Sequence, residues 1–196
     1  MVRTLSPERK AKFLSSALKL FVANGVMNTS TAEIAKEAGA AAGTLFLYFS
    51  TKQELLDDLV LKIGKEQSDH INNLLKPSLS ARETFYIIWQ GTVHWFLENM
   101  QAYHYIQQVR DSGMISSAAV QESARFFGYY YDAIQKGLAE GSIKAYPIGL
   151  IGDFLYQDIV AVMNQVKMQP DSGTREGIIR QGFEIFWNGI KLEELK

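Results

Sequence analysis

The fold is decided by the stretch from Ser30 to Phe49, which reads STAEIAKEAGAAAGTLFLYF. Within it, Ala35, Gly39 and Leu45 follow the order that a helix-turn-helix requires. The small Ala35 lets two helices approach, Gly39 tolerates a positive φ at the corner, and Leu45 fills the angle between the helices. The pattern therefore predicts two short helices joined by a tight turn. The second helix of such a unit protrudes and can lie in the major groove of DNA.

The ends of these two helices can also be predicted. Ser30 and Glu33 have the spacing of a capping box, in which a hydroxyl and a carboxylate three residues later satisfy the first backbone N–H groups of a helix. We expect the first helix to begin after Ser30 and to stop at Gly39. The second helix is predicted to run from Gly43 to Phe49.

The rest of the chain has helical periodicity almost throughout, and no stretch keeps the two-residue alternation of a strand. We expect an all-α fold of about nine helices. Proline, glycine and hydroxyl residues mark several helix ends. The predicted segments include a helix from about Lys52 to Lys76, one capped by Ser80, one from Ser116 or Ser117 to about Glu140, one from Pro147 to about Lys167, and a last helix from Thr174 to the C-terminus.

The composition of the 196-residue chain narrows the class of protein. Apolar residues make up 47% of it, enough to build a core, and there is no cysteine. Disulfides, thiolate nucleophiles and cysteine–zinc fingers are thereby excluded. The first residues lack an apolar core of signal-peptide length, and no stretch reaches the ~18 apolar residues of a membrane span. We therefore expect a soluble cytoplasmic protein with no membrane partner.

Charge is distributed unevenly along the chain. Residues 1–52 carry seven Lys and Arg against three acids, a net charge of +4, whereas residues 53–196 have a net charge of −5. A basic N-terminal quarter on an acidic body is typical of a nucleic-acid-binding region attached to a domain with another task. Chance alone could also give such a difference, so charge is a weak indication by itself.

The stretch from about Arg9 to Leu56 resembles the DNA-binding domain of the tetracycline-repressor (TetR) family of transcriptional regulators. The matching segments are ALKLF at 17–21 before Gly25, IAKEAG at 34–39, GTLFLYF at 43–49 and KQEL at 52–55. The resemblance implies a three-helix helix-turn-helix domain at residues 1–52 and a helical effector-binding and dimerisation domain at 53–196. It also implies a homodimer that binds a palindromic double-stranded operator, most often as a repressor that a small molecule releases.

The resemblance implies roles for individual residues of the first domain. Thr44 and Tyr48 match recognition-helix residues that approach phosphates or base edges, and Lys52 matches a lysine that contacts phosphate. The hydroxyls of Ser30 and Thr31 match backbone-contacting groups, although Ser30 could equally be a helix cap. The full set of expected DNA-binding residues is Ser30, Thr31, Ala42, Gly43, Thr44, Leu47, Tyr48 and Lys52.

Three features depart from the family pattern. The run from Ala40 to Ala42 replaces a Val-Ser-Lys-like segment, so a hydroxyl cap worth ~1 kcal/mol and a possible phosphate contact are missing. Phe46 stands where a tyrosine is usual, and Leu47 where a polar residue is common. We therefore expect an unusually apolar recognition surface that reads thymine methyl groups and groove shape more than it forms bidentate hydrogen bonds.

Aromatic residues are concentrated between Phe85 and Tyr131, where twelve of the 23 in the chain lie. Tyrosine and tryptophan suit the wall of a cavity because each has an apolar body and one polar tip. Core packing would also explain any single one of them. We expect a pocket for an apolar or aromatic effector, with contacts from Trp89, His94, Trp95, Glu98, Tyr103, Gln107, Phe127 and Tyr130.

The last two predicted helices are apolar over more than one face. Helices of this kind need packing partners on two sides. Burial within one subunit would satisfy them, but the resemblance favours a four-helix interface between two copies of the chain.

Two other functions stay open. His94, Glu98 and His104 could hold a metal ion, but they lack the Glu-x-x-His pairs of di-iron bundles, and neither a nucleophile elbow nor a phosphate-binding loop is present. We therefore expect no enzyme activity, no metal and no cofactor. The second alternative is a helical ligand-binding protein whose helix-turn-helix has impaired DNA binding.

Overall fold

The structure, a computed structural model, describes residues 5–110 and 112–193. The described residues form ten α-helices and no strand, which confirms the all-α prediction. The helices are α1 (Pro7–Asn24), α2 (Thr31–Glu37), α3 (Ala42–Leu45), α4 (Lys52–Leu74), α5 (Ala81–Glu98), α6 (Met100–Val109), α7 (Ser117–Phe126), α8 (Gly128–Ala139), α9 (Ile148–Val166) and α10 (Ser172–Ile190). None of them is long and apolar enough to cross a bilayer.

Helix ends follow the local chemistry of the sequence. The Ser6 hydroxyl accepts a hydrogen bond from the backbone N–H of Arg9 at 3.2 Å, and α1 ends at Gly25, whose φ is +85°. Ser80 caps α5, because its hydroxyl accepts from the Glu83 N–H and its own N–H donates to the Glu83 carboxylate. These caps satisfy N–H groups that a helix terminus leaves without partners.

By packing, the described chain separates into two compact units. The first contains residues up to Lys65 together with Asn99–Phe126, and the second contains Glu66–Glu98 and the residues from Phe127 onward. Packing units and functional domains need not coincide, so the domain boundary after residue 52 stays a prediction.

The first unit includes α6, which the sequence did not assign to it. The Tyr105 ring stacks on Phe21 of α1 at 5.8 Å, and its hydroxyl donates to the Leu56 carbonyl of α4 at 3.1 Å. The Gln108 side chain donates to the Phe21 carbonyl at 3.1 Å. A neighbouring contact holds the segment before α7, where the Ser116 N–H donates to the Asp57 carboxylate at 3.0 Å. Helix α6 therefore packs against both α1 and α4 and holds them together.

The second unit is built around an aromatic core between α5 and α10. Trp89 of α5 is fully buried, stacks on Phe186 and donates from its indole N–H to the Ile179 carbonyl at 2.9 Å. Gly182 permits this contact, because a Cβ there would lie 2.9 Å from a Trp89 ring carbon. The approach of these two helices therefore depends on a residue without a side chain.

Three predicted helix bounds were wrong. The recognition helix ends at Leu45, and residues 46–48 form a turn. The helix expected from Ser116 or Ser117 to Glu140 is two helices, α7 and α8, separated at Phe127, so there are ten helices in the described chain. The last helix stops at Ile190 because Lys191 leaves the helix and forms an isolated antiparallel bridge with Ile143. The part of that prediction covering 194–196 lies outside the described residues.

Candidate nucleic-acid interface

The helix-turn-helix corner is built as the sequence predicted. Ala35 on α2 and Leu45 on α3 are fully buried, and Gly39 has a φ of +67° at the turn between them. The Ala40 N–H donates to the Ala35 carbonyl at 2.9 Å, which closes the corner behind α2. A side chain at Gly39 would be strained by this backbone conformation.

The residues after α3 divide into an inward and an outward group. Tyr48 is half-buried: its ring lies 5.4 Å from that of Phe13, and its hydroxyl accepts from the Ser6 N–H at 3.2 Å. Phe46 and Leu47 point outward, with exposed fractions of 48% and 61%. The expected apolar outer surface is therefore present, and Tyr48 is partly engaged in packing.

An open groove of about 440 Å³ lies beside this surface. It brings together three of the expected DNA-binding residues, Ser30, Thr31 and Lys52. The complete lining is Met27, Asn28, Thr29, Ser30, Thr31, Phe46 and Lys52. Ala42, Gly43 and Leu47 are exposed outside the groove and Thr44 is half-buried. Sequence reasoning missed Met27, whose only signal was an apolar side chain in the polar loop after Gly25.

Ser30 and Thr31 offer different hydroxyl chemistry. The Ser30 hydroxyl accepts from the Glu33 N–H at 3.2 Å and donates to the Glu33 carboxylate at 2.7 Å, so its one hydrogen is already used. The capping box predicted for Ser30 is thereby confirmed. The Thr31 hydroxyl makes no hydrogen bond to any described residue, so it is the better donor for a phosphate oxygen.

Glu33 keeps its charge beside this groove. The Ser30 backbone N–H and then the Ser30 hydroxyl hold the pKa of the Glu33 carboxyl below its ordinary value, and Lys52 contributes further. A carboxylate that accepts hydrogen bonds is favoured in its ionised form.

Lys52 is half-buried at the first turn of α4. Its Nζ donates to the Val26 carbonyl at 2.6 Å and lies 5.9 Å from the centre of the Phe21 ring. Thr51 caps the helix, since its hydroxyl accepts from the Glu54 N–H at 3.1 Å. An ammonium carries three N–H donors, so Lys52 retains donors for an anion while one is bound to Val26.

Ion pairs reduce the positive charge of the first unit. Lys10 pairs with Asp58 at 2.5 Å, and Lys19 pairs with Glu37 at 2.6 Å. Exposed pairs of this kind contribute little to stability. The positive electrostatic potential at the candidate interface therefore comes from fewer cations than the sequence count indicated.

The eight expected effector residues do not lie in one unit. Tyr103, which is buried, and Gln107, which is exposed, belong to the first unit with α6. The other six belong to the second unit, where Trp89 is enclosed in the core, Trp95 is buried beside Phe96, Glu98 is exposed, and Phe127 and Tyr130 are half-buried. Their role in effector binding stays a prediction.

His94 is paired with Glu176 of α10 at 2.8 Å. Nowhere in the described ranges do three or more His, Asp or Glu side chains come together in a way that could hold a metal ion.

The outer faces of α9 and α10 expose large apolar side chains. Phe154 and Leu150 on α9 are exposed by 59% and 47%, and Ile185 on α10 by 72%. The opposite faces of the same helices are buried, with Ile151 and Ile179 nearly inaccessible. Helix α9 is therefore apolar on two sides, only one of which is covered within the chain, and α10 adds one large apolar side chain, Ile185, on its exposed side.

The comparisons with known proteins agree with this architecture. The model of the family "Bacterial regulatory proteins, tetR family" matches residues 13–59. An HTH-type transcriptional regulator of Bacillus subtilis (strain 168), YhgD, is 27% identical over 146 residues, which are 71% of this chain and 74% of that protein. The crystal structure of a tetR family transcription regulator from Shewanella sp. PV-4 has a TM-score of 0.87 and 28% identity, covering 94% of this chain and 99% of that one.

A more distant neighbour shares the fold alone. It is the transcriptional regulator FadR from Bacillus subtilis in complex with stearoyl-CoA, with a TM-score of 0.73 and 19% identity over 92% of this chain and 98% of that one. With the helix-turn-helix geometry above, these findings indicate a DNA-binding regulator and not an enzyme. Residues 13–59 therefore form a DNA-binding domain of the TetR family of bacterial transcriptional regulators.

Proposed function

We propose that the protein is a ligand-responsive repressor that acts in the cytoplasm. It binds a palindromic operator as a homodimer and is released by a small apolar or aromatic effector. The observation that carries the proposal is the single surface on which the exposed Phe46 and Leu47 adjoin the groove lined by Ser30, Thr31 and Lys52. Such a surface offers apolar contacts to bases beside donors to a phosphate.

The two parts of this surface have different tasks. Thr31 and Lys52 bind backbone phosphates, which sets the register on the duplex but carries no sequence information. Phe46 and Leu47 contact thymine methyl groups in the major groove. Replacing thymine by uracil in the operator should therefore weaken binding, and equal affinity for both operators would disprove this mode of reading.

The exposed faces of α9 and α10 support the dimer. Phe154 and Ile185 would be covered by the same faces of a second copy, since a two-fold interface is self-complementary. A dimer places its two helix-turn-helix units on successive turns of the duplex, about 34 Å apart, and so matches a palindrome.

Effector binding lowers operator affinity by favouring a dimer whose two helix-turn-helix units no longer have the spacing of successive major grooves. Thermodynamic linkage requires that the operator weaken effector binding by the same factor, typically ~5–150-fold. Measuring effector affinity with and without operator tests this coupling, and equal values would disprove it. The complex of FadR with stearoyl-CoA supports a small-molecule effector in this fold.

The decisive test of DNA binding is selection of bound fragments from the source genome, followed by a gel-shift salt series. A palindromic site should be recovered, and its affinity should fall by about 0.9 logarithmic units per phosphate contact for each tenfold rise in salt. Recovery of no double-stranded fragment at low ionic strength would disprove the function.

That negative result would favour the second candidate, a helical ligand-binding protein with impaired DNA binding. The observation in its favour is the start of α3, where Ala41 provides no side-chain cap and the helix has only four residues. An uncapped short helix is held in place chiefly by its packing.

A further inference from the structure

We infer that Gln67 of α4 donates a hydrogen bond to the effector, and that this effector is a neutral, largely apolar molecule carrying an oxygen acceptor. The inference deepens the proposed function and rests on it. Gln67 is only 8% exposed, and its Nε2 is fully buried without a hydrogen-bond partner among the described residues.

A buried donor without a partner is costly, because it has lost its hydrogen bonds to water and gained none in return. Folded proteins contain few such groups, and each calls for an explanation. Of the buried side-chain polar atoms in the described ranges, the Gln67 Nε2 is the one left unpaired. An acceptor brought by a ligand would remove this cost.

The position of Gln67 connects it with an expected effector residue. Ile71 lies one turn later on the same face of α4 and packs at α5, where its Cδ1 would be 2.7 Å from a Cβ at Gly91. Trp95 lies one turn after Gly91 on α5. The short connection at residues 75–80 favours antiparallel helices, so we expect Gln67 and Trp95 on the same side of this contact.

The scarcity of buried polar side chains in the second unit indicates an uncharged ligand. The buried polar side chains that the structure describes in the second unit are Gln67 and Ser68, and the Ser68 hydroxyl already accepts from the Asn72 amide at 3.2 Å. One neutral amide cannot compensate for burying a full charge. A ketone, ester or ether oxygen on an apolar body satisfies the donor without that cost.

The test uses probe pairs that differ only in the acceptor: benzophenone with diphenylmethane, and acetophenone with ethylbenzene. Titration calorimetry measures their binding to the full-length protein without DNA. We expect the ketone of at least one pair to bind about three- to tenfold more tightly than its hydrocarbon, the contribution of one net hydrogen bond.

Gln67→Leu and the unbranched Gln67→Met should abolish this preference while still binding the hydrocarbon, so that either variant suffices if the other does not fold. Gln135→Leu, the same change at an exposed position of α8, should keep it.

Three results would overturn the inference: no binding of either ketone to the wild-type protein, equal binding of ketone and hydrocarbon, or an unchanged preference in both Gln67 variants. Lower thermal stability of the variants with an unchanged preference would show that Gln67 stabilises the fold and does not contact the effector. Fragment selection with the same preparations tests operator binding separately, so the repressor assignment and the role of Gln67 can fail independently.

Discussion

Lys52 donates a hydrogen bond from Nζ to the Val26 carbonyl at 2.6 Å and so joins the first turn of α4 to the loop between α1 and α2. The same ammonium lines the open groove with Ser30 and Thr31. Lys52 therefore makes a structural contact within the helix-turn-helix unit and has two N–H donors left for an anion. Its position is fixed before DNA arrives, which lowers the entropy lost on binding.

Replacing Lys52 by methionine should reduce the salt dependence of operator binding. Each lost phosphate contact lowers the slope of log affinity against log salt by about 0.9, and a dimer loses one contact per chain. Gel shifts over a salt series measure the slope. Lys62→Met, on the same helix about 15 Å further along, is the matched control and should keep the wild-type slope. An unchanged slope in Lys52→Met would remove Lys52 from the interface.

A hydroxyl at position 41 should stabilise the recognition helix. Ala41 has the extended backbone of an N-cap, with φ −69° and ψ 148°, but no side chain that can cap. Ala41→Ser should therefore raise the free energy of unfolding by ~1 kcal/mol and also tighten operator binding, since a serine hydroxyl can donate to phosphate. Urea denaturation and gel shifts measure the two effects. Ala40→Ser, one residue before the cap, should give neither, and equal effects from both variants would contradict this explanation.

Acid should weaken the caps of α1, α2 and α5. The pKa values of Glu8, Glu33 and Glu83 lie below their ordinary value of 4.5, chiefly through the Ser6 hydroxyl, the Ser30 N–H and the Ser80 N–H respectively. The unfolded chain binds more protons at acid pH, so this stabilisation is complete above the unfolded pKa and is lost as pH falls through the lower folded values.

Urea unfolding at pH 7, 5, 4 and 3 measures this loss. Glu33→Gln and Glu83→Gln can keep hydrogen bonds at the caps but cannot titrate, so the double variant should lose less stability than the wild type on acidification. Parallel losses in the two proteins would exclude these carboxylates as a cause.

Filling the space at Gly182 should destabilise the second unit. A Cβ there would clash with the Val162 Cγ2 of α9 and lie 2.9 Å from a Trp89 ring carbon of α5, so Gly182→Ala forces α10 away from both helices at a cost of about 1–3 kcal/mol. Gly177→Ala on the same helix meets nothing within 4 Å and should instead stabilise by about 0.5–1 kcal/mol. Thermal and urea denaturation measure both variants, and equal changes in stability would show that α10 tolerates extra volume against Val162 and Trp89.

Charges on the outer faces of α9 and α10 should break the dimer. Phe154→Glu and Ile185→Glu each bury a carboxylate in the proposed interface, which is unfavourable without a partner. Light scattering coupled to size exclusion should give twice the chain mass for the wild type and the mass of one chain for the double variant. Val120→Glu, at an exposed apolar position on α7, is the control and should stay dimeric. A dimeric double variant would place the interface elsewhere.

Local sequence patterns predicted most of the helices and part of the candidate interface. The Ser30–Glu33 capping box and the glycine corner at Gly39 follow from interactions within a few residues, and both were predicted correctly. The recognition helix was predicted four residues too long at its C-terminal end, because apolar residues at 46–49 fit helical spacing although Tyr48 turns inward to pack against Phe13.

The sequence by itself determined that the chain is helical and where most helices begin, because these depend on caps, turns and periodicity that act over short separations. It also determined that the N-terminal region carries a TetR-type DNA-binding domain, because the matching segments lie together at residues 17–55. Only the tertiary structure decided that α6 packs against α1 and α4, that Trp89 is enclosed in the aromatic core, and that the Gln67 Nε2 is buried without a partner among the described residues. Those outcomes depend on which distant side chains meet in space, and a periodic pattern identifies a buried face without identifying what covers it.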